Sequence, residues 1–291
     1  MENKKTILIT GASGQLGKEF GAIAPLYEDD FTFIFVSKQD LPIDDFIALE
    51  CFFDQNKIDF CINCAAYTAV DKAETEIELT YLINEKSVAN LVTLCYKHHT
   101  KLINISTDYV FDGTATSPIT EKQKTNPLGV YGASKLKGEE AAIQNNPFTL
   151  VIRTSWVYSS FGNNFVKTMV RLMNEKESIN VVSDQIGRPT YARDLANTIL
   201  EIINSWQDEF AGIYNFSNTG DAISWYDFAC AIKELIESKC IVNPITSFTY
   251  STPAKRPSYS VLDTTKLETQ FCISIPSWRD SLERCMQVMS N

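Results

Sequence analysis

Histidine is nearly missing from this chain: 291 residues hold two, His98 and His99, side by side. A structural zinc site needs four ligands, typically paired cysteines and spaced histidines. The one CxxC pair, Cys61-Ile62-Asn63-Cys64, has no second pair to join it. It lies in an apolar run that reads as a buried strand, so no metal site is expected. The eight cysteines are expected as reduced thiols, several of them buried. Long hydrophobic runs are absent, which excludes a transmembrane helix and a membrane partner. The opening Met1-Glu2-Asn3-Lys4-Lys5 leads into Thr6–Thr10 and then Gly11, an apolar stretch too short for a signal-peptide core. A cytoplasmic location is expected. Basic charge is also in deficit, with 26 Lys and Arg against 36 Asp and Glu and a net charge of -10. Nucleic acid is therefore not an expected partner, although a local basic cluster can still hold an anionic substrate. Internal repeats and low-complexity tracts are missing too.

What is present is ordinary globular composition, 44% apolar and 21% charged. The length suits one large domain or two closely joined ones. Short apolar runs alternate with amphipathic segments. Strands are expected at Thr6–Thr10, Thr32–Val36, Phe60–Cys64, Lys101–Ser106 and Thr149–Arg153. Helices are expected at Leu16–Ala24, Phe46–Gln55, Leu79–His98 and Tyr131–Gln144. This alternation predicts an α/β fold with a doubly wound parallel sheet, Rossmann-like, and a smaller C-terminal lobe. Residues 1–160 form the dinucleotide-binding domain in this reading. Residues 161–291 are mainly a substrate-binding lobe, with elements from about 178–220 returning to the first sheet. Helices are expected at Phe165–Asn174, Arg193–Ser205 and Ser224–Glu237, a strand at Ile213–Phe216, and an irregular stretch from Cys240 to Ser260.

Gly11-Ala12-Ser13-Gly14-Gln15-Leu16-Gly17 follows the first strand and opens the first helix. Glycines allow a tight turn and close backbone approach, and the helix N-terminus offers free N–H groups to a pyrophosphate. The second strand ends in Val36-Ser37-Lys38-Gln39, with no carboxylate before Asp40. A carboxylate there binds the ribose 2′-hydroxyl of NAD, whereas a cation suits the 2′-phosphate of NADP. Ser37 and Lys38 point to NADPH, with NADH as the alternative.

Tyr131-Gly132-Ala133-Ser134-Lys135 has the spacing YxxxK, which puts Tyr131 and Lys135 on one helix face. A nearby ammonium favours the phenolate, so Lys135 is expected to lower the pKa of Tyr131 and make it a tuned proton donor. Thr107, at the end of the strand leading into Asp108 and Tyr109, can reach the same substrate oxygen.

The glycine-rich turn, the strand-end threonine and YxxxK together resemble the extended short-chain dehydrogenase/reductase superfamily. Longer runs resemble the dTDP-4-dehydrorhamnose reductase family. They are Ala65-Ala66-Tyr67-Thr68-Ala69-Val70-Asp71-Lys72-Ala73-Glu74, Ser106-Thr107-Asp108-Tyr109-Val110-Phe111-Asp112-Gly113, Asp184-Gln185-Ile186-Gly187-Arg188-Pro189-Thr190 and Arg256-Pro257-Ser258-Tyr259. The match runs in order over nearly the whole chain. The resemblance implies that Thr107, Tyr131 and Lys135 are catalytic. It implies that Gly14, Gln15 and Leu16 cradle the pyrophosphate, and that Ala66, Tyr67, Thr68 and Asn84 serve the nicotinamide side. Thr107, Asp108, Tyr109 and Trp156 would contact the sugar of a nucleotide-diphosphate deoxysugar, and Arg256 its diphosphate. Core packing for Trp156 and a helix cap for Asn84 are the structural alternatives.

Two departures stand out. Leu41-Pro42-Ile43 occupies the adenine-contacting stretch where many relatives have Leu-Asp-Ile, so Ile43 remains but the Asp contact is lost. Some relatives hold a magnesium ion at a dimer interface. Glu19 is available for one, but Arg193 stands at an expected acidic position, which argues against a metal-bridged dimer and leaves monomer or homodimer. The implied activity is NAD(P)H-dependent reduction of the 4-keto group of dTDP-4-dehydro-L-rhamnose. The alternatives are another nucleotide-sugar reductase or epimerase on this fold, or a non-catalytic NADP-binding subunit resembling the regulatory subunit of methionine adenosyltransferase.

Overall fold

The computed structural model describes residues 4–290. Met1, Glu2 and Asn3, on which the reading of a leader partly rests, lie outside them, as does Asn291. The first half runs β1 (Lys5–Thr10), α1 (Gln15–Ile23), β2 (Phe31–Val36), α2 (Phe46–Gln55), β3 (Phe60–Asn63), α3 (Val70–Ala73), α4 (Ile77–Tyr81), a π-helical turn (Leu82–Lys86), α5 (Ser87–Lys97), β4 (Lys101–Thr107), α6 (Val130–Asn145) and β5 (Thr149–Thr154). The second half runs β6 (Val157–Tyr158), α7 (Phe165–Glu175), β7 (Ser178–Val182), β8 (Ile186–Gly187), β9 (Thr190–Tyr191), α8 (Ala192–Asn204), β10 (Gly212–Phe216), β11 (Ile223–Ser224), α9 (Trp225–Leu235), β12 (Ile241–Ile245), α10 (Thr265–Phe271) and α11 (Trp278–Ser290).

Six strands form the main sheet in the order β10-β5-β4-β3-β1-β2. Every pairing in it is parallel. The protein is therefore an α/β fold of the doubly wound, Rossmann-like kind. β1 pairs with β2 on one side and β3 on the other, so the strand order reverses there, and ligands of such sheets bind at the carboxyl ends beside that reversal. One face of the sheet is covered by α1 and α8, through Phe20, Ile23, Leu195 and Ile199. The other is covered by α2 and α5, through Leu49, Phe53, Leu91 and Val92. A separate core of Val166, Met169, Ile179, Phe228, Ile232 and Leu282 holds the C-terminal lobe together. Each such side chain contributes about 1.5–3 kcal/mol by leaving water.

Two expectations are corrected. The single helix over Leu79–His98 is instead α4, a π turn and α5. The extra residue turns Asn84 inward, where it is 1% exposed, and such turns mark functional sites more often than ordinary helix does. The stretch from Cys240 is not wholly irregular, because Ile241–Ile245 pairs in parallel with Ser178–Val182. Pro244 and the half-exposed faces of both strands hid that pairing from any alternation pattern.

Candidate functional site

The turn after β1 packs directly on the backbone that follows β3. Gly11 has φ +64°, and a Cβ there would stand 2.7 Å from the Ala65 nitrogen. A Cβ on Gly17 would stand 2.6 Å from the Gly11 carbonyl oxygen, so α1 sits tight against the turn. Gly14 caps α1 without any side-chain acceptor, which leaves the first-turn N–H groups of Gln15, Leu16 and Gly17 to face a ligand. A groove of about 320 Å³ opens beside them, lined by Gly11, Ser13, Gly14, Lys38, Ile43, Cys64, Ala66 and Tyr67. It is a cradle of the shape and chemistry that a dinucleotide needs, apolar on the walls and rich in backbone N–H at one end.

The remaining residues expected here are placed differently from one another. Gln15 accepts a hydrogen bond from the Asn164 side chain at 2.9 Å, tying the turn to the C-terminal lobe. Ser37 donates its N–H and hydroxyl to the Asp40 carboxylate at 2.8 and 2.6 Å. Those bonds hold the Asp40 carboxyl below its usual range, and they close the turn that presents Lys38 to the groove. Thr68 is exposed and does not line the groove. Asn84 faces the loop rather than the groove. Its side chain accepts the Tyr67 N–H at 2.9 Å and donates to the Tyr67 carbonyl and to Ser134 at 3.0 Å each. Asn84 is thus not a helix cap but a clamp on the Ala66–Tyr67 loop.

Thr107, Tyr131 and Lys135 come together at the carboxyl end of β4, where α6 crosses it. All three are nearly sealed, at 6%, 9% and 3% exposed. The Thr107 hydroxyl donates to Asp108 Oδ1 at 3.1 Å and accepts the Tyr109 N–H at 3.2 Å. Burial pushes the Tyr131 phenol above its ordinary range, with the Thr107 hydroxyl pulling the other way. The expected lowering by Lys135 does not occur in this arrangement. The Lys135 ammonium donates to the Ile105 carbonyl at 2.6 Å, and desolvation of the phenol outweighs the remaining influences. Lys135 itself is drawn down to about 8 by burial, with Glu139 and Cys64 opposing.

Asp108 is 2% exposed, and its Oδ2 is buried without a hydrogen-bond partner. Burial raises its carboxyl to about 6, against the nearby Ser260 and Thr107 hydroxyls. The Tyr109 ring meets Tyr131 edge-on at 5.5 Å. Burial lifts the Tyr109 phenol to about 12, with Arg256 acting in the opposite direction. Arg256 pairs with Asp71 at 3.0 Å, while its Nε is buried without a partner. Trp156, at φ +48°, stacks on Trp225 with 3.6 Å between ring centroids. Trp225 and Arg256 line a second cavity, of about 610 Å³, together with Phe165, Asn180, Gln185 and Tyr250.

Several participants escaped sequence reasoning. Asp71 and Ser260 stood inside or beside quoted runs, and Trp225 inside an expected helix, without a role. Glu139 lies eight residues after Tyr131, a helical spacing that would have placed it on the same face. Among the described residues no group of three His, Cys, Asp or Glu side chains is placed to hold a metal. Glu19 is fully buried and engaged inside the chain, by the Ser159 hydroxyl at 2.6 Å and Arg193 at 2.9 Å. Cys61 and Cys64 are free thiols, Cys61 sealed in β3 and Cys64 beside the groove.

The family model described as RmlD substrate binding domain matches residues 5–291. A dTDP-4-dehydrorhamnose reductase of Aggregatibacter actinomycetemcomitans is 38% identical, covering 95% of this chain and 97% of its own. A crystal structure of a dTDP-4-dehydrorhamnose reductase from Clostridium acetobutylicum superposes with a TM-score of 0.93 at 40% identity, over 98% of this chain and 100% of that one. The Bacillus anthracis dTDP-4-dehydrorhamnose reductase, solved in complex with NADP, gives a TM-score of 0.93 at 37% identity, with the same coverage. With this agreement in sequence over nearly its whole length and in fold, the chain belongs to the dTDP-4-dehydrorhamnose reductase family.

Proposed function

We propose that this protein reduces the 4-keto group of dTDP-4-dehydro-L-rhamnose to give dTDP-L-rhamnose, with NADPH as reductant, in the cytoplasm and as a monomer or homodimer. The observation that carries the reading is the Tyr131 phenol buried beside Thr107, in a chain that shares nearly its full length with reductases of this name. NADPH, when bound, supplies the hydride. Gln15 and Leu16, following Gly14 into α1, hold the pyrophosphate with their N–H groups, and Lys38 meets the 2′-phosphate, forming no other ion pair among the described residues. Ala66 and Tyr67, fixed by Asn84, shape the nicotinamide end.

The carbonyl oxygen gains negative charge as it is reduced. Thr107 and Tyr131 stabilise that charge, and Tyr131 gives up its proton to the oxygen. An acid at work in the reductive direction has to be protonated at neutral pH, and a phenol raised by burial is. Asp108 Oδ2 is an open acceptor for a sugar hydroxyl. The Trp225 cavity suits the nucleotide, with the free Nε of Arg256 at the diphosphate. Residues 1–160 with β10 are assigned to the cofactor and most of the remainder to the substrate. The test is NADPH oxidation with dTDP-4-dehydro-L-rhamnose and related keto-sugars, with product stereochemistry read by NMR. Rhamnose as the product establishes the reading. A tightly held cofactor that recycles without net oxidation indicates an epimerase, and no turnover indicates a regulatory subunit.

A further inference from the structure

Tyr131, Lys135 and Glu139 follow one another at intervals of four along α6, so they form one buried row. The third member is 1% exposed and has no part in the chemistry above. Its carboxylate is fully engaged. Arg153 of β5, itself 3% exposed, approaches in bidentate fashion, with Nε at 3.0 and 3.1 Å and Nη2 at 2.6 Å. The Ser106 hydroxyl donates to the other edge, and Ser106 directly precedes Thr107 on β4. One carboxylate thus binds the helix that carries Tyr131 and Lys135 to the strand that carries Thr107. Two charges this deep are costly to bury and are tolerated only when well paired. The pairing sits one helical turn beneath an ammonium that lacks a carboxylate of its own.

We propose that Glu139 is a positioning residue for the reduction, clamped by Arg153 and Ser106 so that it keeps Lys135 an ammonium ion and fixes Thr107 opposite Tyr131. The inference rests on the proposed reductase reading for its kinetic consequences, not for its electrostatic ones. The groups facing Lys135 are few. Glu139 and Tyr131 lie on its own helix, Cys64 stands at the end of β3, and the Ile105 carbonyl lies on β4. Of these, Glu139 is the carboxylate, and it opposes the effect of burial on Lys135.

The test is the titration of Lys135 followed by NMR of its side chain in the cofactor-free full-length protein, assigned with Lys135→Met. Native Lys135 should titrate near 8. Glu139→Gln keeps the shape and removes the charge, and the midpoint should fall by about one pH unit or more. Because Glu139→Gln alone strands Arg153 and can unfold the protein, Glu139→Gln with Arg153→Met is measured alongside. Removing both charges is far better tolerated than removing one, and a smaller fall in the same direction is expected, because Arg153→Met also removes a cation. In parallel, the alkaline limb of kcat/KM should move down with the Lys135 midpoint, while kcat drops about tenfold with little change in KM. A purely structural Glu139 would lower thermal stability and leave the Lys135 midpoint where it was. That unmoved midpoint in either folded variant overturns the proposal. So does a native midpoint far below 8, which needs no variant. Failure of native turnover with the midpoint shifts intact would count against the reductase reading alone.

Discussion

At the scale of single residues, the site is a set of polar side chains that the fold has taken out of water and left incompletely satisfied. Tyr131 is taken out of water with its hydroxyl beside Thr107. Tyr131→Phe keeps the ring that packs edge-on against Tyr109 and removes the proton. Turnover should fall by about 10²–10⁴-fold, the usual worth of general acid catalysis, with NADPH affinity nearly unchanged. Stopped-flow reduction and fluorescence titration separate the two. Asp108 supplies a pH signature. Its carboxyl is raised to about 6, so it is a carboxylate above that pH, the form that the proposed sugar-hydroxyl contact needs. As pH falls through about 6 the acceptor becomes a neutral acid, and kcat/KM should decline by about tenfold per pH unit. Asp108→Asn should abolish that acid limb, and a limb that persists in the variant would assign it elsewhere. Lys38 is proposed to read the cofactor's 2′-phosphate. Lys38→Asp should move the ratio of kcat/KM for NADPH over NADH toward NADH, because a carboxylate repels the 2′-phosphate and suits a 2′-hydroxyl. An unchanged ratio would remove Lys38 from cofactor reading.

At the scale of elements, the π turn at Leu82–Lys86 shows how secondary structure serves the groove. An uninterrupted helix would rotate Asn84 away, and the Tyr67 backbone would lose both of its hydrogen bonds to that side chain. Asn84→Ala should cost about 1–3 kcal/mol of stability, since it orphans buried backbone groups. It should also weaken NADPH binding more than it slows the chemical step, as calorimetric titration would reveal. The same region shows where sequence reading stops. Phe46–Gln55 was legible to its ends because Asp45 caps it and a hydrophobic stripe fills it. β1 through β5 were legible because buried parallel strands are short continuous apolar runs. The π turn was not, since nothing in a helical repeat announces one extra residue. β7 and β12 are half-exposed strands that pair with each other and with no other strand among the described residues. α10 and α11 were passed over because their apolar positions are sparse among charged residues.

For the molecule as a whole, the site depends on pairings between distant parts of the chain. Asp71 and Arg256 are 185 residues apart in sequence and meet at 3.0 Å, with the Ala254 N–H on the other Asp71 oxygen at 3.3 Å. The motif YxxxK could be read locally, whereas no spacing rule connects residue 71 to residue 256. Both side chains of the pair are partly exposed, so it adds at most about 1 kcal/mol to stability. Its greater importance lies in holding a cation ready in a protein whose net charge is -10. Arg256→Gln should raise KM for the nucleotide sugar about tenfold or more, leave kcat within about twofold, and flatten the dependence of binding on ionic strength. A kcat defect of equal size would instead place Arg256 at the reacting centre.

The stacked indoles of Trp156 and Trp225 have an optical consequence. Two of the four tryptophans lie 3.6 Å apart and 11° from parallel, and the second forms part of the wall of the larger cavity. Rings so close couple their electronic transitions. If the nucleotide occupies that cavity as proposed, its binding against Trp225 will alter that coupling, changing both emission intensity and near-ultraviolet dichroism. The protein thus carries its own unlabelled reporter of substrate occupancy, distinct from the signal of the reduced cofactor, and the order in which the two ligands arrive can be read from a single mixing experiment.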